Sequence, residues 1–154
     1  MYVMHHFKTF DDIPGHWAQS EIELLASKYI TYGRWPPLFD PNFLINRAQF
    51  TALLVRAMGL EHDPELAAAV YPDVDVDDWY AGAAGAAYRV GLITGSDGEF
   101  KSLRPITRRE VVVALARAYA YVGKPVKVDN PEELVSQFLD GYTASWALQE
   151  MAQM

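Results

Sequence analysis

Residues 105–111 read PITRREV. Thr107, followed three residues later by Glu110, is a capping box: the threonine oxygen accepts from the Glu110 backbone N–H, and the Glu110 side chain reaches back. This predicts a helix start and puts Arg108 and Arg109 in the first turn. The helix dipole is positive there and disfavours cations by about 0.3–1 kcal/mol each. Residues 45–49, INRAQ, repeat the arrangement, with Asn46 as cap, Gln49 at the reciprocal position and Arg47 between them. An arginine straight after a helix cap therefore occurs twice, and its cost asks for a reason. Free N–H groups at a helix N-terminus favour an anion, and a guanidinium adds a bidentate partner for carboxylate or phosphate. A pairing with a nearby aspartate of the same fold is the structural alternative.

The two helix starts belong to a longer internal repeat. FDDIPGHWAQSEIELLASKYITYG followed by LFDPNFLINRAQFTALLVRAMGL aligns with YPDVDVDDWYAGAAGAAYRVGLITG followed by EFKSLRPITRREVVVALARAYAYVG. Asp12 matches Asp73, Trp17 matches Trp79, Gly33 matches Gly95 and Arg47 matches Arg108, at offsets of 61 or 62 residues. A third start, FLDGYTASWALQEM, places Asp140 and Trp146 on the same pattern before the sequence stops at Met154. The repeats span 10–60, 71–123 and, in part, 138–154, and are read as one domain over 1–154. EHDPELAAAV and KPVKVDNPEELVSQ read as polar connectors.

Each repeat predicts helix, loop, helix. Ala18, Ile22, Leu25, Ala26 and Tyr29 share one face of the first helix, as do Tyr80, Ala84, Ala87 and Tyr88 in the second copy. Phe50, Leu53, Leu54, Ala57 and Met58 are spaced as the apolar stripe of the second helix, and Val111, Ala114, Leu115, Ala118 and Tyr119 repeat that spacing. GLITGSDGEF is rich in turn residues and suits a short extended piece. Gly82 and Gly85 inside a helix each cost about 1 kcal/mol against alanine, which points to close helix–helix approach.

Composition narrows the function classes. The 154 residues are 51% hydrophobic and 13% aromatic, which argues for a folded core rather than disorder. A net charge of −7 with only 13 Lys+Arg is unsuited to nucleic-acid binding. Without cysteine there is no disulfide, thiol catalysis or cysteine-based zinc site. No apolar run approaches the ~18 residues of a membrane helix, so membrane insertion is not expected. MYVMHHFKTF lacks the apolar core of a signal peptide, which fits an intracellular chain or a mature one.

These motifs together resemble the S-layer homology (SLH) family. FDD, HWA, YITYG and INRAQF carry the first copy; YPD, DWYA, GLITG and PITRREV carry the second; FLD and SWA begin a third. The resemblance implies an all-α fold of tandem helix-loop-helix repeats in a pseudo-threefold bundle, here with the third repeat truncated. The first helices would form the centre, and grooves between repeats would bind ligand. It also implies an extracellular, non-catalytic module that anchors S-layer proteins or surface enzymes to cell-wall polysaccharide, often through a pyruvylated sugar, without a cofactor. By motif the ligand-binding positions carry over to Asp12, Trp17, Gly33 and Arg47, to Asp73, Trp79, Gly95 and Arg108, and to Asp140 and Trp146. The groove built around Arg47, Trp79 and Gly33 is expected to be the most complete. Asn46, Gln49, Tyr29 and Thr31 depart from the family pattern, and the third copy has no second half.

Other signals are weaker. DVDVDD at 73–78 has a calcium-loop look, but Asp78 stands where glycine is needed and Ala84 where glutamate is; turn and capping aspartates are the favoured reading. His5, His6, His16 and His62 suggest no metal site. The tryptophans suit either core plugs or sugar contacts with one ring face. A structural self-assembly module without sugar binding is the alternative function, and glycan hydrolysis by an Asp/Glu pair a distant third. The apolar first helix of the truncated copy, with Ala147 and Met151, favours association into a homo-oligomer over fraying.

Overall fold

The structure, a computed structural model, describes residues 8–125. The third copy, with Asp140 and Trp146, and the oligomer built on it lie outside the described residues. Five helices and no strands occur among them: α1 (Gln19–Ser27), α2 (Arg47–Met58), α3 (Pro64–Val70), α4 (Ala81–Arg89) and α5 (Arg108–Tyr121). The all-α expectation holds. None of these helices is long and apolar enough to cross a membrane. The residues divide into two compact units between Leu44 and Ile45. That boundary falls inside the first sequence repeat, so α2 is grouped with the second copy.

In the first unit, Ile22 and Ala26 of α1 bury against Phe10 and Ile13, with Phe39 packed on them. Leu25 and Tyr29, expected on this face, are exposed. Tyr29 ends the helix in the left-handed region, φ 59°, where the second repeat has Gly91 at φ 73°. The departure from the GLI-x-G turn is thus a tyrosine held where glycine has no steric cost.

In the second unit α4 is the central rod. Every residue from Ala81 to Ala87 is buried. Its alanines and glycines let α2 and α3 come close, with α3 making the more extensive contact. A Cβ on Gly85 would lie 1.8 Å from the Asp63 carbonyl oxygen, so the close approach read from the glycines is real, and its partner is α3. The sequence had placed only a connector there. Asp63 caps α3 by accepting from the Leu66 N–H at 3.2 Å, and Pro64 occupies the first helical position, a favourable start because proline has no N–H to leave unpaired.

The stripe of α2 differs from the expected one. Ala48, Thr51, Ala52, Leu54 and Val55 are buried, Phe50 and Met58 partly so, and Ala57 is exposed. Small residues face α4 because the contact is tight; periodicity alone favoured the larger side chains. In α5, Ala114 and Ala118 are buried as expected, joined by Val113 and Ala116, while Tyr119 is exposed.

Candidate functional site

The F-x-D motif builds the loop that follows the first helix of each repeat. Asp12 accepts from the backbone N–H groups of Phe39 and Asp40 at 2.8 and 2.7 Å. Asp73 does the same for Phe100 and Lys101, also at 2.8 and 2.7 Å. Asp40 and Lys101 occupy the left-handed region at φ 63° and 58°, and the carboxylates hold them there. The Phe39 N–H bond holds the Asp12 carboxyl below its ordinary range. The aromatic before each aspartate packs on the loop aromatic: the Phe10 and Phe39 rings are 5.3 Å apart, those of Tyr71 and Phe100 5.5 Å. Burial pushes the Tyr71 hydroxyl up to about 12, and it donates to the Ile93 carbonyl.

Gly33 and Gly95 share φ 79°, and a Cβ on either would strike both that aromatic ring and a loop carbonyl. Between Gly95 and Phe100 the chain turns through Asp97 and Gly98, both at positive φ, closed by mutual bonds of Ser96 and Glu99; this is the extended piece expected in GLITGSDGEF. Asp75 and Asp78 accept from turn N–H groups, and Asp78 also from the Tyr80 hydroxyl. The favoured reading of DVDVDD is the one seen.

Both capping boxes form. The helix starts then meet each other: Ile106 N–H donates to the Ile45 carbonyl, and the Arg47 and Ala48 N–H groups donate to the Arg104 and Ser102 carbonyls at 2.9 and 3.1 Å. The first amides of α2, expected to be free for an anion, are therefore occupied. This juxtaposition also answers why an arginine follows the cap. Arg47, 4% exposed, donates from Nη1 to Glu110 Oε1 at 2.8 Å. The carboxylate of one capping box neutralises the arginine of the other. Arg104 donates to the same Oε1, while Oε2 accepts from the Thr107 N–H and hydroxyl at 3.0 and 2.9 Å. Burial opposes the Glu110 charge, but Arg104 and Thr107 outweigh it and hold the carboxyl below its usual range. Burial draws Arg47 down, with Glu110 opposing. One carboxylate serves two guanidiniums, and the Nε atoms of Arg47 and Arg104 are buried without a partner.

Two clefts flank this cluster. One, of about 300 Å³, is lined by Arg47, Thr94, Gly95, Ser96, Glu110 and Arg117, among others. The other, of about 340 Å³, is lined by Ser96, Lys101, Arg104, Thr107, Arg109 and Glu110. Of the expected ligand positions, Arg47 and Gly95 are brought together in the first cleft. Asp12 and Asp73 serve as loop clamps, and Gly33 does in the first unit what Gly95 does in the second.

Trp17 is 88% and Trp79 62% exposed; the core-plug alternative fails for both, and Trp79 lines neither cleft. Arg108 is exposed and forms no ion pair among the described residues, so the two first-turn arginines are not equivalent. Arg104, Lys101 and Arg117 were missed as site residues. The excess of cations in KSLRPITRR was the signal for the first two; Arg117 is brought to the cleft by α5.

The repeat read from the sequence is also found by comparison with known proteins. Residues 9–51 and 70–112, more than half of the chain, match the S-layer homology domain. An amylopullulanase of Thermoanaerobacterium thermosulfurigenes is 40% identical over 115 residues, 73% of this chain but 6% of that protein. Endo-1,4-beta-xylanase A of Thermoanaerobacterium saccharolyticum is 41% identical over 106 residues, 67% of this chain and 9% of that protein. A middle cell wall protein of Brevibacillus brevis is 39% identical over 96 residues, 60% of this chain and 9% of that protein. The chain thus spans less than a tenth of each of these relatives, and what it shares with the two enzymes is a small module of each. A twice-matched domain whose F-x-D clamps and capping boxes recur in the same geometry admits one assignment: the chain belongs to the S-layer homology family, whose domains anchor surface proteins and enzymes to the cell wall.

Proposed function

We propose that this chain is a non-catalytic anchor that binds anionic, pyruvylated secondary cell-wall polysaccharide and so holds a surface protein at the bacterial wall. The observation that carries this reading is Arg47. It is almost wholly buried, lines a cleft, shares its only carboxylate with Arg104 and keeps an unpartnered Nε. An unsatisfied buried donor costs about 1–3 kcal/mol, and a second carboxylate in the cleft offsets that cost. A pyruvyl ketal supplies one carboxylate on a sugar ring. Gly95 lines the same cleft, and its missing side chain lets the Tyr71 ring and the Glu99 carbonyl pack against it. Trp79 and Arg108 are exposed and available to the remaining polymer, and Asp73 shapes the loop; in the first unit, taken by itself, Trp17 is exposed and Asp12 and Gly33 shape the loop.

The net charge of −7 does not oppose this, because salt screens that field over about 8–10 Å while a guanidinium acts at contact. The test is co-sedimentation with purified wall sacculi, before and after removal of the attached polysaccharide. The wild type is expected to bind only the polysaccharide-bearing sacculi. Arg47→Lys keeps charge but loses the fork geometry and is expected to weaken binding at least tenfold. Equal binding to stripped sacculi refutes the proposal in favour of a self-assembly module, for which the exposed tryptophans are the supporting observation.

A further inference from the structure

We infer that Arg117 is a ligand-contacting residue that gives the Arg47 cleft its net positive charge, so that the cleft selects an ionised carboxylate over a neutral sugar while Arg47 fixes the orientation. The inference rests on the anchoring function proposed above and adds to it the residue that decides specificity. The charged residues lining this cleft are Arg47, Glu110 and Arg117. Glu110 is already divided between Arg47 and Arg104, and its oxygens accept four bonds, from Arg47, Arg104 and Thr107. It has no capacity left for a further cation. Arg47 has a carboxylate facing it, and the positive charge in excess is that of Arg117.

Arg117 is half-buried and forms no ion pair among the described residues. Its hydrogen bond there runs from Nη1 to the Leu92 carbonyl at 3.5 Å, beyond the usual range of such a bond, and a guanidinium carries several more N–H donors. Glu110, Val113 and Arg117 share one face of α5. A helical side chain leans toward its helix N-terminus, which for Arg117 is the direction of Val113 and Glu110. The wall on that side is apolar, with Leu92, Ile93 and Val113 buried beneath the cleft, and a charge beside such a wall is screened less than in open water. The matching arginine of the first copy, Arg56, is exposed and lines neither cleft, so the cleft, not the place in the repeat, sets Arg117 apart. On a chain of net charge −7, a cleft with positive charge in excess and an apolar wall suits one ionised carboxylate borne on a carbon framework. The ligand class is a sugar acid or ketal acid in its ionised form.

The experiment titrates two probes calorimetrically into the full chain: a fragment of the wall polysaccharide bearing one pyruvyl group, and the same fragment with that carboxylate converted to its methyl ester. The wild type is expected to bind the acid at least tenfold more tightly than the ester, as a contact to a charged group gives, and to lose part of that preference as salt is raised. Arg117→Gln keeps a donor for the Leu92 carbonyl and leaves the Glu110 bonds untouched. It is expected to bind acid and ester alike, with little dependence on salt. Arg117→Lys keeps the charge without the fork and is expected to retain most of the preference. Arg47→Lys is expected to bind both probes more weakly while still favouring the acid. If Arg117→Gln keeps the wild-type preference, or the wild type binds acid and ester equally, the role of Arg117 is wrong while the anchoring function stands. If the wild type binds neither probe, both fail.

Discussion

Glu110→Gln isolates the charge at the centre of the site. Glutamine keeps the capping box, as Gln49 shows at the equivalent place by accepting from the Asn46 N–H at 3.0 Å. What is lost is the negative charge facing Arg47 and Arg104. Hydrogen bonds to a charged partner contribute about 1.5–3 kcal/mol and neutral ones about 0.5–1.5. Both arginines fall from the first class toward the second. The Arg104 side chain is 36% exposed, so its share is discounted for solvent screening, and a total near 2 kcal/mol remains. For a unit of this size that lowers Tm by about 8–16 °C.

The pH dependence gives a second readout. The folded carboxyl titrates below its ordinary value of 4.5, so the unfolded chain binds the proton more readily. The stabilisation is therefore full above that value and is lost as pH falls through the folded one. The assay is thermal melting by circular dichroism from pH 7 to pH 3. Wild type and variant are expected to differ at neutral pH and to converge in acid. Equal melting at pH 7, or a gap that persists unchanged at pH 3, refutes the argument that the two guanidiniums depend on this carboxylate.

Gly85→Ala is expected to destabilise by about 2–3 kcal/mol despite the better helix propensity of alanine, because its Cβ would lie 1.8 Å from the Asp63 carbonyl oxygen; Gly82→Ala brings its Cβ to 2.8 Å from the His62 Cβ, which the backbone fixes, and is expected to destabilise as well, but by less. Chemical denaturation of the pair reads the contrast, and equal losses contradict it. Asp73→Ala is expected to speed amide hydrogen exchange at Phe100 and Lys101, whose N–H groups lose their acceptor, while α4 amides stay protected. Trp79→Ala is expected to shift stability by no more than about 0.5 kcal/mol, as an exposed substitution does, and to weaken sacculus binding. A large loss of stability contradicts the exposed position of the ring.

The sequence alone determined what local interactions decide. Thr107 with Glu110 and Asn46 with Gln49 are three residues apart, and their boxes form whatever surrounds them. The repeat offset was legible because the same clamp, Asp12 or Asp73 on the loop amides, has the same residue requirements in both copies. Two glycines in one helix announced a close neighbour. The α3 helix was hidden because PELAAAV is too short to show a period, and a helix of this length depends on its docking at Gly82 and Gly85. The buried face of α2 was misplaced because periodicity reports hydrophobicity, while a tight contact with α4 selects small side chains.

The role of Arg47 was beyond sequence reading. Its partner Glu110 is 63 residues away, and nothing local says that the two caps face each other or that carbonyls of Ser102 and Arg104 take the α2 amides. Tertiary structure alone brings two helix starts together, so that one carboxylate must serve two guanidiniums and a cleft opens on either side. A capping box is satisfied within one turn of chain; a half-buried ion cluster depends on charges that only folding brings within contact, where water screens them less.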